Sequence, residues 1–223
     1  MDSVTSKVTN FINQDVSIRR GLTRGFINVR ALAIYIHKNL DEDYGLQAVI
    51  SAVRRYSTTT DFKEDIKHRY QLTAQAKMSS RTRMCSILLK KEPEVRAALA
   101  KIYSMIDFSR GYVVRTLESS QNIKLIIDDV HLEKIQSIFQ KSQIVEIERD
   151  LGEISLLYDI DVRHTPGLFA VVTSELGLHD ISIRDGVLCG SEYILIVAQD
   201  DVVKAVSVLD AIRKWSNSKR KEK

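Results

Sequence analysis

The run Asn122-Ile-Lys-Leu-Ile-Ile-Asp-Asp-Val-His-Leu-Glu-Lys-Ile135 aligns without gaps on Glu192-Tyr-Ile-Leu-Ile-Val-Ala-Gln-Asp-Asp-Val-Val-Lys-Ala205, at an offset of 70 residues. In each copy an apolar run of strand length passes through acidic or amide residues into helical spacing. The paired carboxylates Asp128-Asp129 and Asp200-Asp201 sit where a helix starts, so they read as caps that accept from free N–H groups and meet the positive dipole end. A repeat of this period is a structural unit used twice.

Outward from the first copy, residues 81–91 have the length and composition of a strand. Pro93 suits a first helical turn, where its missing N–H has no intrahelical partner. Val95, Leu99, Ile102 and Ile106 then recur at helical spacing. A strand within 111–119, the repeat run, a helix with Leu132, Ile135 and Phe139, and a strand over 144–150 complete β-α-β-β-α-β. The second copy opens with alternation through Ile154, Leu156, Tyr158, Ile160 and Val162. His164-Thr165-Pro166-Gly167 leads into a helix reaching Leu178. Strands over 181–188 and 193–198 follow, and a helix over 200–215 carries Val202, Val206, Leu209 and Ile212 on one stripe. This copy has no final strand of its own. It must leave an edge bare, borrow a strand, or share one across a dimer.

The expected class is therefore α+β, with two ferredoxin-like βαββαβ units in tandem behind a small all-helical domain. The expected segments are a helical domain at 1–57, a partly helical linker at 58–80 ending at Ser79-Ser80, unit 1 at 81–150, unit 2 at 151–215 and a basic tail at 216–223.

Asp161-Val-Arg-His-Thr-Pro-Gly-Leu-Phe-Ala, with Gly177-Leu-His-Asp-Ile-Ser-Ile after the helix, resembles the ACT family pattern. The tandem arrangement is similar to the regulatory tail of aspartate kinases, over about residues 80–215, and no kinase domain accompanies it. The first copy departs from the pattern, with Glu92-Pro93-Glu94 where the family has Pro-Gly. The resemblance implies a small effector, often an amino acid, and a dimer or higher oligomer. It implies loop contacts from Thr165, Gly167 and Leu168. It also implies Asp180, Ile181 and Ser182 facing the same pocket, and Asp161 receiving a ligand ammonium. The turn has its own physics: a glycine leaves N–H groups uncovered at a helix N-terminus, where the dipole favours an anion. The same Thr-Pro-Gly is also a good strand-to-helix connection.

Residues 1–57 read as helices. Val4, Val8, Phe11 and Ile12 fit one. A second covers 17–24 and ends at Gly25. Asn28 caps a third, with Leu32, Ala33 and Ile36 inward, and Leu46, Val49, Ile50 and Val53 mark a fourth. The last two are compatible with a helix-turn-helix. In that reading Gln47, Ser51, Arg54 and Arg55 face DNA, while Arg30 and Lys38 meet phosphates. A polar helix face is equally the signature of a solvated surface, and Asp41, Glu42 and Asp43 would repel phosphate.

Charge is uneven. Residues 1–83 carry 14 Lys/Arg against 8 Asp/Glu, residues 84–215 carry 15 against 20, and the tail carries 4 against 1. Anionic partners therefore suit the ends. The five histidines lack metal-ligand spacing, and no Walker loop or nucleophile elbow is present, so neither an enzyme, a cofactor nor a metal is expected. Cys85 and Cys189, each inside an apolar run, read as buried reduced thiols. No apolar stretch approaches the roughly 18 residues of a membrane span, and residues 1–7 carry no signal-type h-region, so a cytoplasmic, membrane-free protein is expected. The alternative function is a regulatory subunit of a biosynthetic enzyme that binds no DNA.

Overall fold

The computed structural model describes residues 3–40, 44–58 and 61–218, apart from the side chains at 23, 24, 61–67, 213 and 215–218. Two compact units divide between His68 and Arg69. The Asp41–Asp43 run and the basic residues Lys219–Lys221 fall outside the described residues.

In the first unit, helices α1 (Val4–Gln14), α2 (Val16–Arg24), α3 (Val29–Asn39) and α4 (Leu46–Thr58) surround one apolar cluster. The first three starts have a local cause. Ser3 Oγ accepts from Ser6 N–H, and Asp15 accepts from the N–H groups of Ser17 and Ile18. Asn28 accepts from those of Arg30 and Ala31. Gly25 ends α2 in the left-handed conformation that favours glycine. Val8, Ile12, Leu32, Ile36, Val49 and Val53 fill the centre, and Tyr56 donates to Asn13 Oδ1 at 2.6 Å. Helix α5 (Asp61–Gln75) follows, and its residues from Arg69 belong to the second unit.

The second unit is α+β: one antiparallel sheet of six strands in the order β2-β3-β1-β4-β6-β5. Along the chain come β1 (Lys77–Lys90), α6 (Pro93–Met105), β2 (Val114–Glu118), β3 (Asn122–Asp128), α7 (Leu132–Gln136) and β4 (Ile144–Leu157). Then follow α8 (Leu168–Gly177), β5 (Ile183–Cys189), β6 (Glu192–Ala198) and α9 (Val202–Ser218). The repeat is real in three dimensions: β3 and β6 hold equivalent places, each followed by a short 3₁₀ turn and a helix.

The strand boundaries differ from expectation, for one reason. The fourth strand of the first copy and the first of the second are a single strand, β4. Asp150 takes the left-handed conformation (φ 54), but it makes a bulge within the strand and not a turn that would end it. Its partner β1 starts at Lys77, bulges at Arg83 (φ 58), and contains Ser79 and Ser80 rather than starting after them. The pairing is symmetric about these bulges: Ser80↔Ile154 and Arg81↔Glu153 on one side, Ile87↔Ile147 and Ser86↔Glu148 on the other. The second copy therefore borrows its missing strand from the first half of β1, within the same chain. A division at 150/151 would cut β4.

Odd residues of β1 and β3 (Cys85, Ile87, Leu89, Ile123, Leu125, Ile127) pack under α6 and α7. Ile154, Leu156, Tyr193, Leu195 and Val197 pack under α8 and α9, joined by Leu72 and Ala76 from the end of α5. Gly152 permits this packing, because a Cβ there would lie 2.1 Å from Val202 Cγ2. On the other face Met84, Ile126, Leu151, Ile194 and Ile196 form a buried cluster packed by Val113, Leu117 and Val187, with no helix residue among its described members. The sheet curls on itself, and polar pairs span the curl. Lys124 of β3 meets Asp185 of β5 at 2.9 Å, and Arg115 of β2 holds Glu153 of β4 with two bonds of 3.0 and 3.1 Å.

Three smaller expectations are corrected. Asp128 stands at the start of the 3₁₀ turn, but its carboxylate makes no capping bond; it accepts from Val113 N–H at 2.8 Å and fixes the entry to β2. Cys85 is buried, and burial pushes its thiol up to about 12, but Cys189 is exposed at the end of an edge strand. Tyr158, Ile160 and Val162 lie beyond the end of β4, and Ile160 is exposed.

Glu153 is 2 % exposed and is held by Arg115 and, at 3.5 Å, by Arg81 Nε, so Arg115→Ala takes away its two best bonds and leaves a buried carboxylate with one distant cation. We expect a loss of about 2–3 kcal/mol in urea unfolding, below the full range for a buried pair because Arg115 is partly solvated. The double change Arg115→Leu with Glu153→Leu should recover most of it. Equal losses in the single and double variants would contradict a buried pair at this position.

Candidate functional site

The turn singled out in the sequence lies between β4 and α8. Thr165 N–H donates to Val162 O at 3.0 Å, and Leu168 N–H returns to Thr165 O at 3.3 Å, closing a tight turn. Gly167 adopts φ 75, and no side chain caps α8. The first N–H groups of a helix have no intrahelical acceptor, so this end keeps its positive character. A cation adds to it: a Cβ placed on Gly167 would fall 2.6 Å from Arg69 Nη1. The guanidinium therefore lies against the glycine, and a side chain there would push it aside.

Arg69 belongs to the last turns of α5, which are built into this end of the unit. Tyr70 donates to Glu175 of α8, Leu72 enters the core, and Thr73 Oγ1 donates to Arg69 O at 3.0 Å. Tyr158 starts the turn with its ring edge-on to Tyr193, 5.0 Å between centroids, and burial pushes its hydroxyl pKa up. Phe169 meets the same Tyr193 at 5.5 Å. Tyr158, Tyr193 and Phe169 thus form an aromatic cluster next to the start of α8. Sequence reading missed Arg69, because Arg69-Tyr-Gln-Leu-Thr73 carries no motif and lies nearly a hundred residues from the turn.

The other expected residues divide. Thr165 and Gly167 form the turn. The Leu168 side chain is buried core, so it contributes only backbone. Asp161 is exposed, but Arg163 holds its carboxylate with bonds of 2.6 to 3.1 Å from Nε and Nη2 and one of 3.0 Å from its own N–H. That partner keeps the Asp161 carboxyl far below the usual range, and a ligand ammonium would have to compete with it. Asp180, Ile181 and Ser182 do not converge on the turn. They follow the other end of α8, whose 10 residues amount to about 15 Å of helix. The register agrees: Leu157 and Cys189 flank Glu192, whereas Ile183 is level with Gly152. Asp180 holds φ 55, Ile181 is buried, and Ser182 is exposed.

In the first unit Gln47, Ser51, Arg54, Arg55, Arg30 and Lys38 are all exposed, as a reading face requires. Ser51, however, donates to Gln47 O at 2.9 Å. Residues 40–45 separate α3 from α4, which is longer than the three- or four-residue turn of a helix-turn-helix.

No protein-family model and no curated protein matches the chain. Solved structures do. The ligand-free regulatory subunit of aspartate kinase from Thermus thermophilus is similar with a TM-score of 0.50 and 11% identity, over 62% of this chain and 98% of that one. The corresponding subunit from Thermus flavus gives 0.50 and 11%, over 60% and 95%. Aspartate kinase from Clostridium acetobutylicum gives 0.49 and 16%, over 60% of this chain and 34% of that one, so the match spans about a third of that enzyme. The α+β unit thus shares the fold of aspartate kinase regulatory subunits, and at these identities the likeness concerns fold alone. No helix among the described residues is long and apolar enough to cross a membrane.

Asp161 gives the site a direct check. Its folded pKa is depressed, so its contribution to stability is present above about pH 4 and is lost as pH falls through the folded value. A carboxyl-resolved NMR titration should find it ionised well below its neighbours, and Arg163→Ala should return it to the ordinary range. An ordinary value in the unmodified protein would contradict the Arg163 clamp.

Proposed function

We propose that this chain is a non-enzymatic regulatory protein whose sheet consists of two ACT-like, ferredoxin-like halves, and that a small effector binds at the Thr165–Leu168 turn. An amino acid is the favoured class. The observation that carries the reading is the uncapped N-terminus of α8 with the Arg69 guanidinium against Gly167. Together they favour a carboxylate. The shared fold with aspartate kinase regulatory subunits supports it.

Asp180 and Ser182 join such a site only if a second copy supplies them, since within one chain they lie at the far end of α8. The proposed assembly is therefore a dimer that sets one copy's Asp180–Ser182 segment against its partner's turn. The effector then acts by binding one arrangement better than another.

For the output, DNA binding through Gln47, Arg54, Arg55, Arg30 and Lys38 is one reading. The long α3–α4 connection and the Ser51–Gln47 bond favour the second, a regulatory subunit acting on a partner protein.

The experiment is a thermal-shift screen of the full chain against the twenty amino acids and common nucleotides. A ligand at a hundredfold excess over its Kd stabilises by about 2.7 kcal/mol. One amino acid should raise the Tm, and Gly167→Ala should abolish the shift by displacing Arg69. Asp180→Asn, which tolerates the left-handed backbone, should weaken it only if a partner copy contributes. A panel in which no amino acid shifts the melt would sink the sensor reading.

A further inference from the structure

Helix α3 is apolar around most of its circumference. Leu32, Ala33 and Ile36 face the core of the first unit, while Ala31, Ile34 and Tyr35 face outward. Residues 31–36 are thus an unbroken apolar run on a helix covered on one side only. Ile34 is 37% and Tyr35 is 55% exposed. Phe11 of α1 meets Tyr35 edge-on, with centroids 6.0 Å apart, so the patch continues onto a second helix. Ala31, Ile34, Tyr35 and Lys38 fall at i, i+3, i+4 and i+7, the spacing with which one helix meets another. Helices apolar on all sides are normally covered on all sides.

Charge selects the cover. Helix α3 has no acidic residue, and its exposed Arg30 and Lys38 stand at the two ends of the outward stripe. Among the described residues of 3–58, the sole carboxylate is Asp15, which is engaged at the start of α2. Asp41-Glu42-Asp43 follow α3 in sequence, yet residues 1–58 still carry 8 Lys/Arg against 5 Asp/Glu. A second copy laid antiparallel on this stripe would bring Arg30 beside its counterpart's Lys38, and like charges oppose that. Duplex DNA is gripped through phosphate contacts and read mainly by polar groups at base edges, so a helix face centred on an isoleucine and a tyrosine suits a protein partner better. We propose that the α1–α3 face, centred on Ile34 and Tyr35, docks an acidic amphipathic helix of a partner protein. This rests on the protein-partner reading of the first unit and is independent of whether the second unit binds an effector.

The test selects helical peptides from a displayed random library on the full-length protein. Recovered binders should carry apolar residues at i, i+3 or i+4, and i+7, with an excess of Asp and Glu. Their binding should weaken at least tenfold in Ile34→Asp and in Lys38→Glu, and should not change in Arg54→Ala. These positions are exposed, so an unchanged Tm shows that the variants still fold. Binders that are basic, or that ignore Ile34→Asp, would overturn the proposal. So would self-association in sedimentation that Ile34→Asp abolishes, since the occupant would then be a second copy. Duplex DNA that competes for the Ile34 face would likewise overturn it in favour of nucleic acid.

Discussion

The antiparallel contact between β1 and β4 organises the second unit. Each strand is fourteen residues long, far beyond the usual five or six, and each serves both halves of the sheet. The second half of β1 pairs with β3 and with the first half of β4. Its first half covers the remaining edge of β4, which carries β6 on its other side. Neither half has a complete sheet without the other, so the unit gains one continuous sheet where separate domains would leave an edge bare. The bulges at Arg83 and Asp150 sit at matching places in the two strands. They re-aim the side chains: Ile147 faces α6 and α7 before the bulge, and Ile154 and Leu156 face α8 and α9 beyond it.

That constraint positions the turn. Because β4 runs on to Leu157 without a break, the chain leaves the sheet at one end and must reverse through residues 158–167 before α8 can lie across Leu156 and Leu195. Starting β1 at Lys77 places the end of α5 immediately upstream. Leu72 and Ala76 enter the same core, and Arg69 reaches Gly167. The cation beside the helix end is thus a consequence of the borrowed strand: shifting the start of β1 would move Arg69 with it.

Much of this was legible in the sequence, and the gaps have physical causes. The match of 122–135 to 192–205 revealed the repeat because β3 and β6 are largely buried and read as apolar runs, interrupted in β3 by Lys124. Pro93, Asn28 and Gly167 announced helix starts through their local chemistry. The fusion of two strands into β4 was hidden because both bulges use ordinary residues, Arg83 and Asp150, where a glycine would have drawn notice. Asp180 was grouped with the turn by family resemblance, whereas within one chain it directly follows the C-terminal end of the ten-residue helix whose other end the turn forms. Asp161 was read as a free carboxylate, since nothing in Asp161-Val-Arg163 declares that the arginine folds back on it. Arg69 had no signal at all, because its role exists only through tertiary contact.

The most direct test of the shared-strand account is residue-resolved amide exchange on the full chain. If β1 spans both halves, the amides within Met78–Arg81 that bond to β4 should exchange as slowly as those of Cys85–Leu89 and in step with Ile154–Leu156, as one cooperative unit, while the alternate amides on the free side exchange faster. Fast exchange at every amide of 78–81 beside slow exchange at 85–89 would contradict it, leaving the second half of the sheet without this strand.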